Sequence, residues 1–166
     1  MSDLAREVHE RLSASGQTLA VAESLTGGLL AATIVTVPGV SATFRGGLVV
    51  YATDLKATLA GVPEDLLAER GPVDPDVARE LAAGAARRCA ADWGLATTGV
   101  AGPGPNDGHP AGEVWLGLVG PGLRPVAERL DLRGDRAAVR AEAVQRALAL
   151  LLRWWERRSP PETSTC

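Results

Sequence analysis

The chain has 166 residues, of which 46% are hydrophobic and 22% charged, and its net charge is −3. This composition is typical of a globular protein with one substantial core, and it provides no basic stripe for nucleic acid. No apolar run approaches the ~20 residues that span a bilayer, and the first residues lack the pattern of a signal peptide. We therefore predict a cytoplasmic protein that binds neither nucleic acid nor membrane.

Helices and strands alternate in the first half of the chain. Apolar residues at four-residue spacing predict an amphipathic helix from Ser2 to near Gly16, followed by a short buried strand at 18–22. A turn with two glycines leads into an apolar helix at 29–35, and a second strand is predicted at 46–52.

The middle of the chain is predicted to hold three helices. Thr53 is expected to cap a short helix that carries Lys56, and Pro63 to open another. Asp74 followed by Pro75 is typical of a helix start, and it predicts a long Ala-rich helix to about residue 93.

The last part begins with a third strand at 95–100, which leads into a loop at 101–112 that is too rich in glycine and proline for regular structure. Two further strands are predicted at 114–119 and 125–132, and a closing helix at 136–156. This alternation predicts α/β class.

The expected architecture is a single three-layer α/β/α domain over residues 1–158, with a partly parallel central sheet covered on both faces. Residues 159–166 are rich in proline, threonine and serine, and we expect them to form a disordered tail.

Cysteine and histidine are too scarce for a disulfide framework or a metal centre. The chain contains Cys89, Cys166, His9 and His109, and none of these has the spacing of metal ligands. We expect neither a metal nor an organic cofactor.

Lysine, in contrast, is informative because it occurs once. Lys56 stands against 16 arginines among the 17 basic residues, and Tyr51 is the single tyrosine. Arginine cannot be deprotonated in a protein, whereas burial can make lysine neutral, so a site that needs an amine base must retain lysine. Chance survival of one surface lysine is an equally good explanation of the count.

Several candidate functional residues follow predicted strands. Ligands bind outside the carboxyl ends of the strands in open α/β sheets. Ser24, Tyr51, Lys56 and the loop from Gly102 lie beyond three such ends in the predicted topology, so we expect them to converge on one site.

Ser24 is predicted to lie at a helix N-terminus. Backbone N–H groups of Thr26, Gly27 or Gly28 could stabilise an oxyanion there or bind an anion. The alternative is that Ser24 or Thr26 simply caps the helix, which is the commoner role of such residues.

A neutral lysine amine can remove the proton of a serine, and serine–lysine pairs are an alternative to histidine-based triads. Tyr51 could hydrogen-bond to Ser24 or relay the proton, or it could be an ordinary strand aromatic. His9 on the first helix and His109 in the loop give no competing triad. The loop itself, Gly102 to Gly108, lacks the signature of a P-loop or Rossmann turn, and it could bind phosphate or merely connect two strands.

Together these segments resemble the CinA C-terminal domain family, roughly over residues 3–155. The matching segments are Ala22–Gly28 (AESLTGG), Phe44–Lys56 (FRGGLVVYATDLK), Thr98–Pro103 (TGVAGP), Gly112–Trp115 (GEVW) and Gly134–Arg140 (GDRAAVR). Each segment is short, but their common order along the chain makes the resemblance specific.

The resemblance implies a nicotinamide mononucleotide deamidase of pyridine nucleotide salvage, which forms nicotinate mononucleotide and ammonia without a cofactor. It assigns catalysis to Ser24, Tyr51 and Lys56. Substrate binding is assigned to Thr26, Gly27, Gly28, Thr98, Gly99 and Gly102.

The chain departs from the family pattern at Thr53, where Asn is frequent, and at His109–Gly112, where Lys-Pro-Val-Gly is common. We expect the N-terminal domain of longer CinA proteins, and its activity, to be absent. Two other functions remain open, namely an amidohydrolase of another small amide and a non-enzymatic, competence-related module. Assembly into a homo-oligomer through Trp154 and Trp155 is also left open, since this pair could equally belong to the core.

Overall fold

A five-stranded sheet organises the computed structural model, which describes residues 2–158. The predicted tail at 159–166 lies outside these residues. The strands are β1 (Leu19–Glu23), β2 (Phe44–Val49), β3 (Trp93–Gly99), β4 (Glu113–Gly120) and β5 (Leu123–Asp131). The helices are α1 (Ser2–Ser15), α2 (Leu29–Ile34), α3 (Thr53–Thr58), α4 (Glu64–Arg70), α5 (Pro75–Arg88) and α6 (Arg136–Arg158), with a 3₁₀ turn at Val40–Ala42.

The spatial order of the strands is β2-β1-β3-β4-β5. β1 lies parallel to both β2 and β3, whereas β4 pairs antiparallel with β3 and β5 antiparallel with β4. The open sheet is therefore mixed. This confirms the predicted α/β class with a partly parallel sheet.

The sheet carries an apolar core on each face, as the alternation of side chains along β1 requires. Leu19 and Val21 belong to the core under α1, α2 and α6. Ala20 and Ala22 point to the other face, where α5 supplies Leu81 and related side chains. The two cores account for the three predicted layers.

Two element boundaries differ from the prediction by three residues or more. β2 ends at Val49 instead of residue 52. α5 ends at Arg88, five residues before the predicted end, because Ala90 adopts a left-handed backbone with φ of 49°. Asp92 then accepts hydrogen bonds from the Thr18 N–H and hydroxyl, which fixes the chain at the entry to β3.

The predicted helix caps were partly correct. Asp74 accepts hydrogen bonds from the N–H groups of Asp76 and Val77 and caps α5 as expected. Thr53 does not cap α3, because the N-cap is Ala52 and Thr53 is the first helical residue. No helix within residues 2–158 combines the length and apolarity needed to cross a bilayer.

Candidate active site

A cavity of about 350 Å³ opens at the carboxyl ends of β1, β2 and β3. The loop that follows β3 and the first residue of α6 complete its walls. The lining residues are Ser24, Leu25, Tyr51, Thr53, Lys56, Pro72, Val73, Thr98 to Asp107, and Arg136. The sheet topology therefore brings together the residues that the sequence places beyond three separate strands.

Ser24 and Lys56 form the central contact of this pocket. The Lys56 Nζ lies 3.0 Å from the Ser24 Oγ, and it donates to the carbonyl oxygens of Val50 at 2.8 Å and Tyr51 at 3.2 Å. The Lys56 side chain is almost completely buried, with a relative exposure of 1%. The Ser24 N–H donates to the Thr97 carbonyl, which attaches the serine to the end of β3.

Burial determines the charge state of Lys56. Within residues 2–158 no carboxylate forms an ion pair with it. Desolvation lowers the pKa of Lys56 from 10.5 to about 8, because the charged form is disfavoured away from water. A neutral amine has two N–H donors and one lone pair. The two carbonyls can accept from it while the Ser24 hydroxyl donates to the lone pair.

The Ser24 turn, residues 24–28, separates β1 from α2. The serine does not lie at the helix N-terminus as predicted, since α2 begins at Leu29 with Gly28 as its N-cap. Neither Ser24 nor Thr26 caps this helix. Instead, the N–H groups of Leu30 and Ala31 in the first turn of α2 donate to the carboxylate of Glu23, at 2.8 and 3.0 Å.

Glu23 is a residue that the sequence analysis missed as part of the site. It is fully buried at the end of β1, directly before Ser24, and it ties the strand to α2. Backbone N–H groups near a helix start stabilise a buried carboxylate through charge-assisted hydrogen bonds. The strand that carries the serine and the following helix are thereby held in a fixed relation.

Arg140 holds the Ser24 turn from the other side. Its Nε donates to the Leu25 carbonyl at 3.0 Å, and its Nη2 donates to the Thr26 carbonyl at 2.8 Å. The residue lies on α6, and no short-range pattern links it to a turn more than a hundred positions away. One signal for it exists in the sequence, since Arg140 ends the last segment that resembles the family.

Tyr51 lies on the wall of the pocket, but its hydroxyl does not contact Ser24. The side chain is 57% exposed, and the hydroxyl accepts a hydrogen bond of 2.7 Å from Arg136 Nη2. Lys56 contacts the backbone carbonyl of Tyr51 instead. No hydrogen bond from the Tyr51 hydroxyl to Ser24 or Lys56 occurs within residues 2–158.

Arg136 bridges two walls of the pocket. Besides Tyr51, it donates from Nη1 to the Gly102 carbonyl at 2.8 Å. Arg136 was not among the residues predicted to form the site. Its guanidinium places a permanent positive charge at the pocket wall, where an anionic group of a ligand could bind.

The six residues assigned to substrate binding fall into two groups. Three line the pocket, namely Thr98, Gly99 and Gly102. Thr26, Gly27 and Gly28 do not line it. The buried Thr26 hydroxyl pairs with the Thr97 hydroxyl at 2.8 Å, and the Gly27 N–H donates to the Ser24 carbonyl at 3.0 Å.

The sequence matches one protein family over nearly its whole length. The model of the family described as CinA C-terminal domain matches residues 1–155. A CinA-like protein of Frankia casuarinae is 52% identical over 136 residues, which are 82% of this chain and 31% of that protein. The chain spans about a third of the length of the curated relatives that it matches.

Solved structures agree with this assignment over nearly the whole chain. The competence damage-inducible protein A of Klebsiella pneumoniae is 33% identical, with a TM-score of 0.90 and coverage of 95% of this chain and 98% of that one. A competence-damaged protein (CinA) superfamily protein of Escherichia coli is 34% identical, with a TM-score of 0.88 and coverage of 92% and 89%. The chain therefore belongs to the CinA C-terminal domain family.

Proposed function

We propose that the protein is a cytoplasmic nicotinamide mononucleotide deamidase that produces nicotinate mononucleotide and ammonia in pyridine nucleotide salvage. The observation that carries this proposal is the contact between the Ser24 hydroxyl and the buried Lys56 amine. Serine needs a base to become a nucleophile, and a lysine that is partly neutral near pH 8 supplies one. The family membership is compatible with amidohydrolase chemistry.

In the first half of the reaction, Lys56 takes the hydroxyl proton while the Ser24 Oγ attacks the carboxamide carbon of the substrate. The carbonyl double bond opens to give a tetrahedral oxyanion. When it collapses, the C–N bond breaks and the Lys56 ammonium protonates the leaving nitrogen, so that ammonia departs. The product of this half is an ester between Ser24 and the nicotinoyl group.

In the second half, water replaces ammonia. The neutral amine of Lys56 takes a proton from the water, whose oxygen attacks the ester carbon. Collapse of the second tetrahedral intermediate breaks the bond to Oγ, and the proton returns from Lys56 to Ser24. The net result exchanges the amide NH₂ for OH and needs no redox partner.

Leu25 is the best candidate donor to the oxyanion. It follows the nucleophile directly and lines the pocket, and its N–H has no protein acceptor within residues 2–158. Gly27 already donates to Ser24, and Thr26 lies outside the pocket. A fixed N–H aimed at the developing charge is the usual device in acyl transfer.

Arg136 and the Gly102 loop are candidates for binding the substrate phosphate. The guanidinium uses two of its five N–H groups on Tyr51 and Gly102, and the other three have no protein acceptor within residues 2–158. A cavity of about 350 Å³ lies in the size range of small-molecule sites. In this arrangement Tyr51, bonded to Arg136, would assist the reaction by positioning the substrate or by relaying protons to bulk water.

The decisive experiment measures ammonia release by the purified protein with nicotinamide mononucleotide, nicotinamide riboside, nicotinamide and a panel of other small carboxamides. We expect the mononucleotide to have the highest kcat/KM. A higher kcat/KM for another amide would show that this amide is the preferred substrate, and the proposed mechanism would still hold. Absence of turnover on every amide would favour a non-enzymatic module and overturn the proposal.

A further inference from the structure

A cluster around Glu113 lies beside the pocket and takes no part in the proposed chemistry. Glu113 is the first residue of β4, and its side chain is 7% exposed. Its carboxylate lies 3.1 Å from the His109 Nδ1 and accepts a hydrogen bond of 3.2 Å from the Trp115 indole. The Arg129 Nη2 lies 3.6 Å from its other oxygen.

His109 connects this buried carboxylate to the wall of the pocket. It closes a short hairpin with Asn106, since each residue donates its N–H to the carbonyl of the other, at 3.0 and 2.9 Å. Asn106 and Asp107 in the same hairpin line the pocket, together with Gly104 and Pro105. We name residues 104–109 the lip hairpin. A side chain that anchors one end of it acts on the pocket without touching the substrate.

We propose that His109 is a positioning residue, whose contact of 3.1 Å with the Glu113 carboxylate holds the lip hairpin in the arrangement that binds the substrate. Glycine and proline dominate the loop from residue 101 to 112, so it has few side chains of its own for anchoring. The inference rests on the proposed function for its kinetic consequences, but the anchoring contact can be tested without turnover.

The kinetic test compares wild type, His109→Ala and His109→Lys. Loss of the contact with Glu113 in His109→Ala should raise KM for nicotinamide mononucleotide about threefold to tenfold, with kcat within about twofold of wild type. Lysine restores a cationic donor, so His109→Lys should return KM to near the wild-type value.

His9→Ala is the matched control. His9 is the other histidine of the chain, and it hydrogen-bonds to the Thr43 hydroxyl away from the pocket. The His9→Ala variant should leave KM for nicotinamide mononucleotide unchanged. An unchanged KM in His109→Ala, a fall in kcat without a rise in KM, or an equal rise in His9→Ala would each overturn the proposal.

Hydrogen exchange of the substrate-free protein separates this inference from the proposed function. The peptides that cover residues 101–112 should exchange faster in His109→Ala than in wild type, and at the wild-type rate in His109→Lys. Equal exchange in wild type and His109→Ala would overturn the anchoring role even if the enzyme is active. Faster exchange would support it even if the wild type releases no ammonia from the mononucleotide.

Discussion

The Lys56 Nζ lies 3.0 Å from the Ser24 Oγ, although the two residues are 32 positions apart in the sequence. The contact occurs where the end of β1 meets the helix that follows β2. The Lys56 amine is buried beside backbone carbonyls, and no carboxylate pairs with it within residues 2–158. Its protonation state therefore affects both the free energy of unfolding and the rate of the proposed reaction.

Ser24→Ala should abolish ammonia release, with a loss of about 10⁴-fold or more in kcat, because the nucleophile is absent. The free energy of unfolding should change by about 1 kcal/mol, since Lys56 keeps its bonds to the Val50 and Tyr51 carbonyls. Turnover by the purified variant and urea denaturation measure the two effects. Activity near the wild-type rate would exclude Ser24 as the nucleophile.

Lys56→Arg should be nearly as damaging as Lys56→Ala, although it keeps the positive charge. A general base must be neutral for part of the time, which a guanidinium cannot achieve, and its loss costs on the order of 10²–10⁴ in rate. In wild type, kcat/KM should rise with pH to a midpoint of about 8, where Lys56 loses its proton. Profiles from pH 6 to 10, with folding checked by circular dichroism, provide the measurement.

The same two variants decide between a base and an electrostatic contact. The rising limb should be missing from both. If Lys56→Arg retained more than about a tenth of the wild-type kcat, the loss would be smaller than base removal normally brings. Lys56 would then be an electrostatic contact.

The stability of wild type should rise between pH 8 and pH 10.5 relative to that of Lys56→Met. The folded-state pKa is about 8 and the ordinary value 10.5, so in this window the unfolded chain holds a proton that the folded protein has lost. The free energy of unfolding then increases with pH, by at most about 3 kcal/mol in total. Urea denaturation of both proteins from pH 7 to 10 measures the difference, and parallel pH dependences would contradict the lowered pKa.

Arg136→Gln should raise KM for nicotinamide mononucleotide about tenfold, since it removes a cation expected to bind the phosphate. Nicotinamide riboside lacks the phosphate, so the preference for the mononucleotide should fall in the variant. Arg133→Gln is the control, because Arg133 is exposed and does not line the pocket. An equal loss of kcat/KM for both substrates would indicate that Arg136 supports the pocket wall and does not bind the phosphate.

Local sequence patterns predicted the order and type of nearly all the elements. Asp74 with Pro75 marked the start of α5 because a cap and a proline act within one helical turn. Boundaries were less accurate where distant contacts decide them. The start of β3 depends on Asp92, which accepts hydrogen bonds from Thr18 directly before β1.

In the candidate site, too, the residues could be predicted from local sequence but their contacts could not. Ser24, Tyr51 and Lys56 were selected from strand ends, from the single lysine and from family resemblance, and all three line one pocket. A hydrogen bond from the Tyr51 hydroxyl to Ser24 was one of the possibilities left open, but the hydroxyl pairs with Arg136 from the last helix. Such a partner depends on how α6 packs across the sheet, and the sequence around Tyr51 contains no trace of it.

The sequence by itself determined the α/β alternation and the chemical types available to the site, because helix caps, apolar periodicity and a solitary lysine are local properties of the chain. Only the tertiary structure decided that Lys56 is buried against Ser24, that Glu23 and Arg140 hold the Ser24 turn, and that His109 reaches Glu113. The pKa of an amine and the position of a turn depend on desolvation and on neighbours from other elements. Those exist only after the layers have packed.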